Sequence, residues 1–153
     1  MKRVDLIFEK VECREILSKA LEMKPEEIVQ AVLDSGLKGR GGAGFPTGLK
    51  WKFTAAEKDP VKYIICNADE GEPGTFKDRQ ILDEVPEKVF CGMALASKAI
   101  GSKEGYIYLR GEYNFLVPML QEKLEDFHAL MKELGHEFFI HLRLGSGAYI
   151  CGE

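Results

Sequence analysis

A glycine-rich loop at residues 39–48, Gly-Arg-Gly-Gly-Ala-Gly-Phe-Pro-Thr-Gly, constrains the fold of this chain more than any other segment. Five of its ten residues are glycine, which adopts positive φ angles at little cost and lets a ligand approach the backbone closely. Ordering so many glycines costs conformational entropy. The composition therefore indicates a loop whose backbone amides bind a phosphate or a planar ring.

The position of this loop excludes two familiar nucleotide-binding motifs. Apolar residues at helical spacing predict a helix that starts at Pro25 and ends at Ser35 and Gly36, just before the loop. Three loop glycines match the GxGxxG pattern, but the dinucleotide fingerprint needs a strand in front of it. Lys50 lacks the Gly-Lys-Ser/Thr context that a P-loop requires.

Hydrophobic periodicity predicts strands and helices after the loop, with β-branched and aromatic residues at 61–66 typical of a buried strand. The predicted strands are residues 61–66, 106–109 and 138–144. The other predicted helices are residues 13–21, 76–83, 86–100 and 114–134. The order predicts an α/β fold, in which a helical segment at 1–38 precedes an α/β domain at 39–153.

Charge and hydropathy exclude several classes of partner. The 21 Lys and Arg residues against 25 Asp and Glu residues give a net charge of −4 with no long basic run, so nucleic acid is not an expected partner. No apolar run reaches the roughly 18 residues that could cross a bilayer, and no signal-peptide pattern is present. We therefore expect a cytoplasmic protein that reaches a membrane only through partner subunits.

The reactive side chains show no catalytic or metal-binding pattern. The four cysteines form no CxxC pair, so we expect reduced, mostly buried thiols and no metal ion. His128 and His136 are expected at the surface and His141 in a strand, without ligand spacing. Because no nucleophile elbow is present, we predict no catalytic side chain, and a bound cofactor has to supply the chemistry.

Two segments could bind a nucleotide. A cation and aromatic rings follow the glycines, at Phe45, Lys50, Trp51 and Phe53, and could bind a nucleotide. Alternatively, Trp51 and Phe53 are core residues of a following helix. The acidic block 67–74, Asn-Ala-Asp-Glu-Gly-Glu-Pro-Gly, follows a predicted strand, where open α/β sheets bind ligands. Its carboxylates could accept hydrogen bonds from ribose, hold a hard cation or form only a solvated loop.

Three ordered blocks make the chain resemble one family. They are the glycine loop extended to Trp51, the acidic block extended to Arg79, and the segment Gly147-Ala-Tyr-Ile-Cys-Gly-Glu153. The chain is similar to the NADH-binding flavoprotein subunit of respiratory complex I, a family shared with diaphorase subunits of NAD-dependent and bifurcating hydrogenases and formate dehydrogenases. The resemblance implies a Rossmann-like open sheet with flanking helices, which binds FMN and passes hydride from NADH to it.

The resemblance also assigns ligand contacts. The residues that match the family's FMN contacts are Gly39, Gly41, Gly42, Lys50, Asn67, Asp69, Glu70, Tyr149, Gly152 and Glu153. The residues that match its NADH contacts are Phe45, Phe53 and Glu72. An acidic residue near the ribose would repel the 2′-phosphate of NADPH, so NADH is the expected dinucleotide.

The family contains parts that this sequence lacks. It carries later domains, one of which binds a 4Fe-4S cluster through four cysteines, and no cysteine of this chain matches those ligands. Its electrons pass to a thioredoxin-like 2Fe-2S subunit and to other electron-transfer subunits. We therefore expect the N-terminal portion of such a subunit, truncated within the FMN-binding domain. A nucleotide-binding module without flavin and a fragment that only docks with partner subunits remain alternatives.

Overall fold

The computed structural model describes residues 6–146, so Tyr149, Gly152 and Glu153 lie outside the described residues. The helices are α1 (Cys13–Glu22), α2 (Pro25–Asp34), α3 (Thr47–Ala56), α4 (Lys77–Glu84), α5 (Pro86–Ile100) and α6 (Val117–Leu134). The strands are β1 (Tyr63–Ala68), β2 (Glu104–Leu109) and β3 (Phe139–Leu144). A 3-10 segment, Gly111–Leu116, leads into α6.

The three strands form one parallel sheet in the order β1, β2, β3. Helices α4 and α5 connect β1 to β2, and α6 connects β2 to β3. Because α5 packs on β1 and β2, α6 packs on β3, and the two helices pack on each other, both crossovers lie on the same face of the sheet. The predicted open α/β sheet with flanking helices is therefore confirmed.

The main hydrophobic core fills the space between the sheet and helices α5 and α6. Phe90 on α5 and Ile107 on β2 are fully buried, and the ring centroids of Phe90 and Phe127 lie 5.6 Å apart. A smaller cluster forms where α2 and α3 meet the end of α5. Its buried members are Ala20, Ile28, Val29, Ala99 and Ile100. Helices α1, α2 and α3 thus make an outer layer on α5.

Helix α2 and the turn after it position the glycine loop. The Lys24 N–H donates a hydrogen bond of 2.7 Å to the Glu27 carboxylate at the start of the helix. Gly36, with φ +70°, follows the end of the helix, as the sequence predicts. Helix α3 then packs against α2 at Gly48, where an added Cβ would lie 2.7 Å from the Leu33 Cγ. This close contact places the carboxyl end of the loop against α2.

The prediction that residues 61–66 form a buried strand is wrong for one face of β1. Ile64 and Cys66 face the helices, but Tyr63 and Ile65 on the other face are 51% and 61% exposed. No element within residues 6–146 covers that face, because both crossovers lie on the opposite side. The strand therefore alternates between half-buried and exposed side chains.

The prediction that His128 and His136 lie at the surface is also wrong, because the structure half-buries both. His136 Nε2 lies 2.7 Å from the Oγ of Ser97, a fully buried residue on α5. His128 Nε2 accepts a hydrogen bond of 3.0 Å from the Ile140 N–H. His136 therefore ties the segment after α6 to α5, and His128 ties β3 to α6. Sequence spacing does not reveal these roles.

Candidate functional site

A cleft of about 630 Å³ opens at the carboxyl end of β1, between the glycine loop and the acidic block. Open α/β sheets bind ligands at this end of their strands. Of the residues predicted to contact a ligand, six line the cleft. They are Gly41, Gly42, Asn67, Asp69, Glu70 and Glu72. Residues from two separate sequence blocks therefore meet at one place.

Four other predicted residues lie near the loop but do not line this cleft. The Gly39 N–H donates a hydrogen bond of 2.9 Å to the Phe45 carbonyl, which closes the base of the loop. Lys50 is exposed on α3. Phe45 and Phe53 are 46% and 56% exposed, and their ring centroids lie 6.5 Å apart. The two rings thus form an exposed aromatic pair beside the loop.

Only part of the glycine content is required by the backbone of the loop. Gly42 and Gly44 have φ angles of +92° and +60°, which favour glycine strongly. Gly41 does not have such an angle, and a Cβ added there would meet no atom within 4 Å. The fold itself therefore does not require glycine at position 41, and its bare backbone leaves open space at the cleft.

The polar residues at the carboxyl end of β1 are held by contacts within the protein. The Asn67 Oδ1 accepts a hydrogen bond of 3.2 Å from the Asp69 N–H, so the amide nitrogen of Asn67 is the group that can donate to a ligand. Asp69 is only 5% exposed. A Cβ added at Gly145 would lie 2.8 Å from the Asp69 Oδ1, so the chain after β3 closely approaches this carboxylate.

Glu70 connects the cleft wall to the start of α4. Its side chain is 1% exposed and its backbone has a φ of +44°, which is unusual for a residue other than glycine. The carboxylate accepts hydrogen bonds from the backbone N–H groups of Asp78 (2.6 Å) and Arg79 (3.4 Å). Since the residue before α4 makes no side-chain cap, Glu70 caps this helix from a distance.

The surroundings of Glu70 keep its carboxylate charged. Burial on its own would raise the pKa of Glu70, but the hydrogen bonds from Asp78, Tyr113 and Arg79 and the nearby Lys77 ammonium lower it overall. The Tyr113 hydroxyl donates at 2.7 Å, and burial together with this bond raises the pKa of Tyr113 to about 12. The carboxylate faces α4 rather than the cleft, which the backbone of Glu70 lines.

Cations around the cleft offset its carboxylates. Arg40 and Lys77 line it, and the Lys77 Nζ lies 2.8 Å from Asp78 and 3.6 Å from Glu70. Arg110 donates a hydrogen bond to the Glu70 carbonyl and so supports the strained turn. The sequence patterns did not indicate Arg40 or Lys77 as ligand contacts. The position of Lys77 as the first cation after the acidic block was the available signal.

The larger cavity of the described residues, of about 690 Å³, lies at the amino ends of the strands. Its lining includes Tyr63, Glu104 and Phe139 and none of the predicted contact residues, so it is not the candidate site.

Residues 6–146 hold no group of three or more His, Cys, Asp or Glu side chains that could bind a metal ion. Among the same residues, no helix has both the length and the hydropathy needed to span a membrane.

An open parallel sheet with a glycine-walled cleft at its carboxyl edge defines the class of α/β domains that bind ligands at strand ends. Within that class, the family model of the Nuo51 FMN-binding domain matches residues 32–153. The chain belongs to this family. The resemblance inferred from the three sequence blocks is therefore confirmed.

Named relatives and a solved structure agree with this assignment. The chain is 46% identical over 151 residues to the NAD-reducing hydrogenase HoxS subunit alpha of Cupriavidus necator, covering 94% of this chain and 25% of that protein. It is 50% identical over 143 residues to the F subunit of the NADH-quinone oxidoreductase of Aquifex aeolicus, covering 90% of this chain and 33% of that one.

One structural neighbour is the crystal structure of an NAD+-reducing [NiFe]-hydrogenase in the air-oxidized state. It matches with a TM-score of 0.86 and 43% sequence identity, covering 99% of this chain and 26% of the hydrogenase chain. The chain thus spans about a quarter to a third of the length of these proteins.

Proposed function

We propose that this chain forms the FMN- and NADH-binding part of an NADH dehydrogenase or diaphorase subunit. The observation that carries the proposal is that the loop glycines Gly41 and Gly42 and the polar residues Asn67, Asp69 and Glu72 line one cleft. A bound FMN would accept hydride from NADH and release the electrons one at a time. FMN and NADH therefore bring the redox chemistry, and the protein binds and orients them.

The residues of the cleft suit FMN. Open space at Gly41 leaves room for a flat ring against the backbone. Arg40 and Lys77 supply positive charge for a phosphate, and the Asn67 amide can donate a hydrogen bond to the ring. Asp69 can accept a hydrogen bond from a sugar hydroxyl of FMN.

The remaining predicted contacts extend this assignment. The exposed rings of Phe45 and Phe53 would stack on the adenine of NADH, and Gly39, Lys50 and the backbone of Glu70 would complete the FMN contacts. Glu72 would bind the dinucleotide and favour NADH over NADPH by repelling a 2′-phosphate. No protein side chain is assigned a proton-transfer step.

Electron-transfer partners follow from the same proposal. The electrons would leave through iron-sulfur clusters, first those of a thioredoxin-like 2Fe-2S subunit and of a 4Fe-4S domain whose ligands this chain does not carry. The relatives are named as subunits of a hydrogenase and of an NADH-quinone oxidoreductase, which supports a place in a larger complex. We propose a cytoplasmic location, peripheral to the inner membrane through such partners.

Titration with FMN, followed by quenching of its fluorescence, tests the proposal. We expect Gly41→Val to weaken FMN binding at least about tenfold, because the new side chain occupies the space left for the ring. Gly92→Val is the matched control, since Gly92 is exposed on α5, away from the cleft. NADH added to the complex should then bleach the flavin absorbance.

The titration is repeated with the chain fused to the region that follows the matched segment in the Aquifex aeolicus protein. A folded fusion that takes up no FMN would contradict the proposal. Binding of NADH without any FMN would instead support the module without flavin. Equal affinities for Gly41→Val and the unchanged chain would show that FMN binds elsewhere.

A further inference from the structure

Two cysteines meet on the side of the molecule where α1 packs on α5. Cys13 is the first residue of α1, and Cys91 lies in the second turn of α5. Cys13 lines a surface cavity together with Glu87, which lies one turn before Cys91 on the same face of α5. Both are free thiols, and they share the main hydrophobic core. The helix packing therefore holds two reactive groups side by side, away from the nucleotide cleft.

Only one of the two sulfurs is close to solvent. Cys13 is half-buried and lines a surface cavity of about 410 Å³, together with Glu87, Lys88 and Lys123. Cys91 is 4% exposed and is not among the residues that line this cavity. A reagent that enters the cavity therefore meets Cys13 first.

The pKa values of the two paired thiols differ in direction and cause from the pKa of Cys66. The hydrogen bond to Cys91, burial and the neighbouring negative charges raise the pKa of Cys13, while the same bond lowers the pKa of Cys91 against the effect of burial. Negative charge in the pair thus favours Cys91, and a thiolate is the reactive form of cysteine. Burial and the Asp78 charge raise the pKa of Cys66 to about 11, so Cys66 stays protonated and unreactive.

We propose that Cys13 and Cys91 are a redox modification site, at which a peroxide converts the two thiols into a reversible disulfide between α1 and α5. One S–S bond forms and the O–O bond of the peroxide breaks. Each sulfur gives up one electron, and with hydrogen peroxide the two thiol protons leave in two molecules of water. A reducing dithiol restores both thiols by disulfide exchange.

The disulfide would close a covalent loop around both walls of the cleft. The chain between Cys13 and Cys91 includes the glycine loop, β1 and the acidic block. Closing a long loop removes entropy from the unfolded chain and stabilises the folded one, provided that the bond forms without strain. We therefore expect the oxidised chain to melt several degrees above the reduced chain.

Peptide mapping after trypsin tests this proposal, because each cysteine falls on a different tryptic peptide. The peptides are residues 11–14, 63–77, 89–98 and 144–153. The folded 153-residue chain is treated with hydrogen peroxide, blocked with iodoacetamide, digested and analysed by mass spectrometry. The expected product is peptide 11–14 joined to peptide 89–98, at least about tenfold in excess over any other linked pair, and lost after dithiothreitol.

Three controls separate the proposed bond from general oxidation. Cys66→Ser should leave the linked peptide unchanged, whereas Cys13→Ser should remove it. In urea the unfolded chain should lose the preference and form mixed pairs. The proposal is overturned if the folded chain gives mixed pairs, gives sulfinic acid at Cys13 with no linkage, or keeps both thiols reduced. Because the peptide mapping uses the chain without substitutions, it tests the proposal even if a variant fails to fold.

Discussion

At the scale of single residues, Glu70 joins the acidic block to the start of α4 and to Tyr113. Glu70→Gln keeps the shape but places an NH2 group against N–H donors, so we expect a loss of about 2 kcal/mol in unfolding free energy. Urea unfolding measures this loss. The matched control is Glu112→Gln, because the Glu112 side chain is 74% exposed and pairs with Arg110. It should change stability by less than about 0.5 kcal/mol.

The lowered pKa of Glu70 predicts that the stability of the fold depends on pH. The pKa of Glu70 in the folded protein lies below its ordinary value of 4.5, so the unfolded chain binds more protons in the interval between the two. The stability that Glu70 contributes is present above about pH 4.5 and is lost as the pH falls through the lower, folded value. A stability gap between the original chain and Glu70→Gln that stays constant down to about pH 3 would contradict this assignment.

At the scale of secondary-structure elements, the contact of α2 with α3 determines where the glycine loop sits. An added Cβ at Gly48 would lie 2.8 Å from the Leu33 nitrogen and 3.0 Å from the Val29 carbonyl, and backbone atoms cannot move aside cheaply. Gly48→Ala should therefore cost about 1–3 kcal/mol in urea unfolding and also weaken FMN binding. Gly92→Ala, on an exposed helix face, should be neutral or stabilising. Equal stability of the two variants would rule out the close packing.

The hydrogen bond between Ser97 on α5 and His136 after α6 predicts a second effect of pH on stability. Ser97 Oγ donates to the Ala94 carbonyl, so His136 supplies the proton of their mutual hydrogen bond. Burial, with a smaller effect of Lys98, lowers the pKa of His136 below 6.5. The unfolded chain then binds more protons, so stability should fall as the pH drops below about 6.5. Melting temperatures between about pH 5 and 8 should show a shallower slope for His136→Gln, and an unchanged slope would contradict this.

The elements were largely predictable from sequence because their end signals are local. Pro86 and Gly101 bound α5 where the pattern places it, and Gly36 follows the end of α2 as the pattern predicts. The exposed face of β1 and the buried His136 were not predictable, since both depend on which distant segment packs there. The turn of Glu70 toward α4 is a further case, because nothing in the acidic block itself indicates that its carboxylate caps a helix.

At the scale of the whole molecule, the sheet of the described residues is covered on one face only. The other face presents four ring side chains and one isoleucine, and we call it the aromatic surface. Its members are Tyr63, Ile65, Tyr106, Phe139 and His141. The ring centroids of Tyr106 and His141 lie 4.8 Å apart, as do those of Phe139 and His141. Parallel sheets are normally covered on both faces. Periodicity predicted the strands but could not show this asymmetry, because it depends on the path of the crossovers.

The aromatic surface predicts that the 153-residue chain associates with a second copy of itself. Ile65 is 61% exposed, so Ile65→Lys should leave the melting temperature nearly unchanged while placing a charge in the contact. Sedimentation at several concentrations should show a mass that rises with concentration for the original chain and much less for the variant. Ile64→Lys is the control on the covered face, where Ile64 packs against the core, and it should lower the melting temperature strongly. A monomer at every concentration, or equal association by Ile65→Lys, would show that this face does not drive self-association.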